Sequence, residues 1–291
     1  MSHGKSIRLF LIEGESSGRW KCELSNWTGL AYKIPRNMLS KCSDRLDLDY
    51  AGVYFLIGKS DDQVNDKVYI GESEDVLYRL NQHVQAGVKE WQDWSDCVVF
   101  ISKDNQLNKA MIKYLESSLY DLAAKADRAE INNANRPRKS SLSELDAAEM
   151  DEYLDNLRLL MGALGYKFLE PSLTSKQRDE ARVFSLSSKK SGYDAKGTIV
   201  DDGFLVYKGS KISDGIADSF QTKGYNTLRE RLISEGVIVD RIFVKDYLFS
   251  SYSAASSVVE GHNSNGWVDW KDESGKNIDI ILSEISEGSN R

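Results

Sequence analysis

Two tyrosines, an arginine, a histidine and a glutamate are the side chains here best suited to chemistry on a charged substrate. Tyr54 and Tyr69 lie in neighbouring apolar stretches, Arg79 and His83 follow four residues apart, and Glu116 sits in a later amphipathic segment. An arginine offers forked donors to phosphate oxygens, and a carboxylate can hold a hard divalent cation. A phenol, with an ordinary pKa of about 10, acts as a base near neutrality only where positive charge favours the phenolate. These types together suit a reaction in which water is deprotonated and the negative charge that develops on the substrate is neutralised. Singly, each has a plainer role: packing for a strand tyrosine, solvation for a glutamate at a helix rim.

The elements around them decide whether they can meet. Gly52 to Gly58 and Lys67 to Gly71 read as two strands joined by a polar loop, Lys59 to Asp66. Side chains alternate across a strand, so Val53, Phe55 and Ile57 oppose Tyr54, and Val68 and Ile70 oppose Tyr69. If the aliphatic rows share a face, both tyrosines share the other. A helix is expected from Ser73, as N-cap, to about Gly87, and its spacing puts Arg79 and His83 on one face. A buried strand, Cys97 to Ser102, and a helix from about Leu107 to Lys125 follow, with Glu116 at the rim of that helix's apolar stripe.

Upstream, Ser6 to Glu13 and Arg19 to Leu24 read as an opening hairpin, and the lone Trp27 as core packing. Downstream, Asn132, Asn133 and Asn135 precede Pro137 and a short basic cluster of Arg136, Arg138 and Lys139. A helix capped by Ser141 and Glu144 bridges onward, and Ser172 to Gly192 has linker composition. Beyond it come a hairpin about Asp201-Asp202-Gly203, a helix from Thr227 to Glu235, a strand from Arg241 to Phe249, a short helix capped by Ser253, and a last strand from Trp267 to Trp270. The expected fold class is α+β: a small three-stranded antiparallel sheet flanked by helices, preceded by an N-terminal hairpin and followed by a second small α+β domain. The expected divisions are 1–50, 51–138, 139–192 and 193–291.

Composition sets outer limits. The 291 residues suffice for two domains, and 41% hydrophobic with 29% charged residues describes a globular chain. A formal charge of -7 argues against a protein that coats nucleic acid, so any DNA contact must be local. The apolar run Leu9 to Ile12 is too short to be a signal or a membrane span, and three scattered cysteines form no metal or disulfide pattern. A cytoplasmic protein without membrane partners is expected.

Gly52-Val53-Tyr54, Tyr69-Ile70-Gly71, Arg79, His83, Glu116 and Asn132 stand in an order and spacing that resembles the GIY-YIG nuclease family, over roughly residues 52–135. The resemblance implies that Glu116 is the ligand of a Mg2+ or Mn2+ ion and that Arg79 neutralises the phosphate. It implies that one of Tyr54 and Tyr69 activates water while the other orients it, without saying which. His83 would bond phosphate or relay a proton, and Asn132 would tie the module's end to the site. Glu72 and Glu74 depart from the pattern, since many relatives carry lysine or a small residue there.

The C-terminal residues Tyr247 to Ser251, Ser253-Ala254-Ala255, Asn265-Gly266, Trp267 and Trp270 resemble a domain of unknown function that often follows GIY-YIG modules, and are similar to RAMA domains. That likeness implies DNA binding, with Ser253 at a helix N-terminus receiving phosphate and Trp267 stacking on a base. The expected function is a metal-dependent DNA endonuclease, with restriction or phage defence as its setting and a homodimer as a compatible assembly. The alternatives are an inactive DNA-binding adaptor and a nuclease for RNA or single-stranded DNA.

Overall fold

A computed structural model describes residues 4–59, 66–85, 91–171, 173, 177, 180–220 and 224–288. The chain is α+β and divides into two units, Met1–Pro171 and Ser172–Arg291.

The first unit is built on one sheet with strands β1 (Ile7–Leu11), β2 (Trp20–Leu24), β3 (Gly29–Pro35), β4 (Gly52–Lys59), β5 (Asp66–Ser73), β6 (Trp94–Ser102) and β7 (Ala129–Ile131), in spatial order β1-β2-β3-β6-β4-β5-β7. Only the β5–β7 pair is parallel. The three strands expected from sequence lie side by side in it, β6-β4-β5, with β5 next to the edge strand β7. The opening hairpin is no separate extension: β3 carries it onto β6, pairing Gly29 with Ser102 through Pro35 with Asp96.

Strand alternation gives the sheet two apolar faces. Val53, Phe55, Ile57, Val68 and Ile70 enter one core with α2 (Lys109–Ala126) and α3 (Glu144–Ala163). Tyr54, Leu56, Val99 and Ile101 enter the other, beneath α1 (Val76–Val84) and two 3-10 segments, Arg36–Asp44 and Leu46–Asp49. Trp27 packs as expected, its ring centroid 4.8 Å from that of Tyr153. The three cysteines are free and buried.

The caps of α1 and α3 each lie two residues from their expected positions. Asp75, not Ser73, caps α1 by accepting from the Tyr78 N–H, while Ser73 bonds the backbone of Asp75. Ser143, not Ser141, caps α3 through the Asp146 N–H. In both places several cap-competent residues run together, and only the turn geometry selects among them. The expected end of α1 at Gly87 and most of the loop after Lys59 lie outside the described residues.

In place of a bridge between domains, α3 seals the first core. Met150, Tyr153, Leu157, Leu160 and Met161 are buried, and the Tyr153 hydroxyl donates to the Ile101 carbonyl at 2.8 Å.

The second unit holds a five-stranded sheet of β8 (Phe184–Ser188), β9 (Tyr193–Val200), β10 (Gly203–Val206), β13 (Tyr247–Phe249) and β14 (Lys271–Asp272), ordered β13-β10-β9-β8-β14, with a separate pair β11 (Ile238–Val239) and β12 (Ile242–Phe243). The expected linker is therefore folded from Phe184 onward. Its helices are α4 (Gly224–Ser234), α5 (Tyr252–Glu260), α6 (Gly266–Asp269) and α7 (Ile278–Gly288). Trp267 to Trp270 is mostly the helical turn α6 rather than a strand, because Asn265 caps it through the Trp267 N–H. No helix among the described residues is long and apolar enough to cross a membrane.

The placement of α3 gives a direct expectation. Leu157→Ala should cost about 2–5 kcal/mol, the usual range for a truncated core leucine. Leu145→Ala, on the same helix but 69% exposed, should stay within about 0.5 kcal/mol. Urea denaturation of the intact chain measures both, and equal small effects would deny α3 its place in the core.

Candidate active site

The β4–β5 ladder positions the tyrosines. Tyr54 pairs with Gly71 and Leu56 with Tyr69, so both rings emerge on the α1 side of the sheet with centroids 6.2 Å apart. The parity expected from sequence holds. Gly71 is required beneath Tyr54, since a β-carbon there would collide with Cζ and the hydroxyl of that ring.

His83, buried on the inner face of α1, completes the cluster. Its ring lies 5.5 Å from Tyr54 and 5.3 Å from Tyr69, centroid to centroid, and its Nε2 shares a 2.9 Å hydrogen bond with the Tyr54 hydroxyl. Tyr54 is completely buried, whereas Tyr69 is half-buried. Arg79, one turn before His83, is half-buried and donates to Gln82 Oε1 at 2.9 Å.

Glu116 comes from α2, on the other face of the sheet, and is half-buried. Burial is the main cause that pushes its carboxyl up to about 7, the neighbouring Glu72 carboxylate adds to this, and Lys109 and Lys113 oppose it. Lys109 itself bridges the two acidic residues that depart from the family pattern, at 2.8 Å from Glu72 and 3.7 Å from Glu74. Its sequence position, 37 residues from Glu72, gave no sign of this partnership. Gln82 as the partner of Arg79 was also unforeseen, though i,i+3 spacing on a helix would have suggested it.

Of the clustered asparagines, Asn133 makes the side-chain tie. Its amide donates to the Ile70 carbonyl at 2.7 Å and its Oδ1 accepts from the Ile70 N–H at 3.0 Å, so it stands in for a strand residue just past the end of β7. Asn132 contributes its backbone N–H, to the Val68 carbonyl at 2.8 Å. The basic cluster stays on the surface: Arg136 pairs with Asp121 at 2.9 Å, Lys139 lies 4.0 Å from the Tyr114 ring centroid, and Arg138 is exposed.

The donor set around Glu116 fits one kind of metal. Among the described residues no group of three or more His, Cys, Asp or Glu side chains converges as a cage. Two neighbouring carboxylates, Glu116 with Glu72 among the charges that raise its pKa, would instead suit a hard cation that keeps its waters and shares phosphate oxygens. Glu116 and Glu72 are the residues that would hold it.

In the second unit, Ser251 rather than Ser253 caps α5, accepting from the Ala254 N–H. Ser253 is half-buried and accepts from the Gly266 N–H at 3.2 Å, which leaves its hydroxyl less open to phosphate than expected. Trp267 is 44% exposed and meets Tyr252 edge to face at 4.9 Å, while Trp270 is buried against Phe204.

Residues 184–281 match the family model described as a domain of unknown function (DUF4357). The buried core of the second unit has the same bounds, Phe184 and Ile281. No curated protein and no solved structure matches the chain.

Two outcomes are expected. Gly71→Ala should displace the Tyr54 ring and cost about 1–3 kcal/mol by overpacking, read as a fall in the thermal midpoint. Because the Glu116 carboxyl is raised from its ordinary 4.5 to about 7, its stabilising share is complete below pH 4.5 and is lost as pH rises through 7. Glu116→Gln should therefore melt higher than the parent chain at pH 8 and not at pH 5.

Proposed function

We propose that the first unit is a divalent-metal-dependent DNA endonuclease. The observation that carries this reading is the Tyr54–Tyr69–His83 ring cluster on the α1 side of β4 and β5; Glu116 is presented from α2 on the opposite face, near Glu72 of β5, with its carboxyl raised to about 7. A Mg2+ or Mn2+ ion, when bound, would supply charge stabilisation at the phosphate.

Exposure separates the tyrosines. Tyr69 is the phenol that can meet water or a phosphate oxygen, and Tyr54 with His83 forms a buried hydrogen-bonded pair behind it. In this reading His83 orients the Tyr54 hydroxyl, both rings hold Tyr69 in place, and Arg79 swings from Gln82 to the scissile phosphate. Glu116 and Glu72 hold the cation, and Lys109 limits the repulsion that the two acids would present to DNA. Asn133, rather than Asn132, fixes the strand segment that carries Tyr69. Arg136, Arg138, Lys139, Trp267 and Ser253 are the proposed wider DNA contacts, with the second unit contributing to substrate choice. A cytoplasmic role in restriction or phage defence remains part of the proposal.

Nicking of supercoiled plasmid in Mg2+ is the test. Glu116→Ala and Tyr69→Phe should each lower the rate by roughly 100-fold or more, in the range for loss of a positioned catalytic group. Cleavage that survives both changes removes the mechanism. Binding of DNA by the parent chain without cleavage would favour the adaptor reading, and faster cleavage of RNA or single strands would change the substrate class.

A further inference from the structure

The outer edge of β1 pairs with no strand among the described residues. Two hydrogen bonds at the ends of the β1–β2 ladder, Ser25 N–H to the Ser6 carbonyl and Ile12 N–H to the Arg19 carbonyl, settle which backbone groups face inward. Hydrogen-bonded pairs recur at every second residue of an antiparallel ladder. Ser6, Arg8, Phe10 and Ile12 therefore turn their N–H and C=O groups toward β2, and Ile7, Leu9 and Leu11 turn theirs outward.

This edge carries little of the usual protection. Natural edge strands are kept short, charged, bulged or broken by proline. At the far side of the same sheet β7 has three residues, and at one edge of the second sheet β14 has two, Lys271–Asp272. By contrast β1 runs five residues in unbroken register with Arg8 as its one charge, and Ile7, Leu9 and Phe10 are 39%, 50% and 59% exposed.

We propose that β1 is a self-association edge, taking the β1 strand of a second copy of this chain in antiparallel pairing about a two-fold axis at Leu9. That register sets Leu9 against Leu9 and Ile7 against Leu11, so all three residues with outward backbone groups find partners. Shifting the axis to Arg8 or Phe10 engages only two of the three, and at Arg8 it opposes two like charges. With the axis at Leu9, each Arg8 lies opposite a Phe10, at the position between hydrogen-bonded pairs where side chains approach most closely. A guanidinium there meets an aromatic ring rather than its own copy. The chain thus carries on one strand both halves of the complementarity, which is why the occupant is a second copy. The pairing does not depend on the nuclease reading.

Sedimentation velocity of the intact chain, across concentrations up to about 100 µM, tests this. A reversible dimer is expected. Leu9→Lys and Leu9→Glu each place like charges across the axis and should weaken the dimer roughly tenfold or more, about 1.4 kcal/mol. An equimolar mixture of the two variants should recover the association, because lysine then faces glutamate. A parent chain that stays monomeric, a dimer indifferent to Leu9→Lys, or a mixture that fails to recover association would each overturn the proposal. The mixture also guards against misfolding, since damaged variants would not restore one another.

Discussion

Pairing of β4 with β5 is the constraint on which the first unit depends. Because side chains alternate with a period of two, one ladder settles the contents of both faces. It sends Val53, Phe55, Ile57, Val68 and Ile70 into the core under α2 and α3, and it sends Tyr54 and Tyr69 toward α1. A slip of β5 by one residue would bury the Tyr69 phenol among aliphatic side chains and push Val68 and Ile70 under α1. Gly71 and Asn133 guard the register from the two sides of β5: the first leaves room for the Tyr54 ring, and the second occupies the backbone groups of Ile70.

The second unit rests on a different kind of interaction. Arg229 of α4 is buried, and its guanidinium donates to the Val258 carbonyl near the end of α5 and to the Ser213 carbonyl. Burial lowers its pKa to about 10, which still leaves it charged at neutral pH. A charge in that position is tolerated because helix C-terminal carbonyls lack intrahelical partners and carry partial negative charge. Gly261, at φ 73°, then turns the chain out of α5. The same helix end presents Glu260 to the Tyr193 hydroxyl at 2.7 Å, so α5 is anchored by polar bonds as well as by Val258 and Val259.

Much of this was legible in the amino-acid order. Alternation in 52–58 and 67–71 sufficed to place Tyr54 and Tyr69 together, and the i,i+4 spacing of Arg79 and His83 sufficed to align them. Local periodicity carries such relations because neighbouring residues share one element. Partners far apart in the chain were not legible: Lys109 with Glu72, Asn133 with Ile70, and Tyr153 with Ile101. The extent of the sheet was missed for the same reason, since nothing local in Gly29 to Pro35 says that its partner is Trp94 to Ser102. Cap positions failed on a smaller scale. Ser73 and Asp75, or Ser141 and Ser143, have similar chemistry, and the choice is made by backbone angles at a single residue.

The seating of α3 bears on how such a unit can travel between genes. A segment cut at residue 138 would hold every proposed catalytic residue yet remove Leu157, Leu160 and Phe168 from the core they share with Phe55, Phe100 and Leu115, with the Phe168 ring only 5.6 Å from that of Phe55. What can be inherited or transplanted as a working piece is accordingly set by hydrophobic closure and runs to Pro171. The folding module is longer than the stretch that carries the proposed site, and recombination inside 139–171 would separate those residues from the hydrophobic cover that holds them in place.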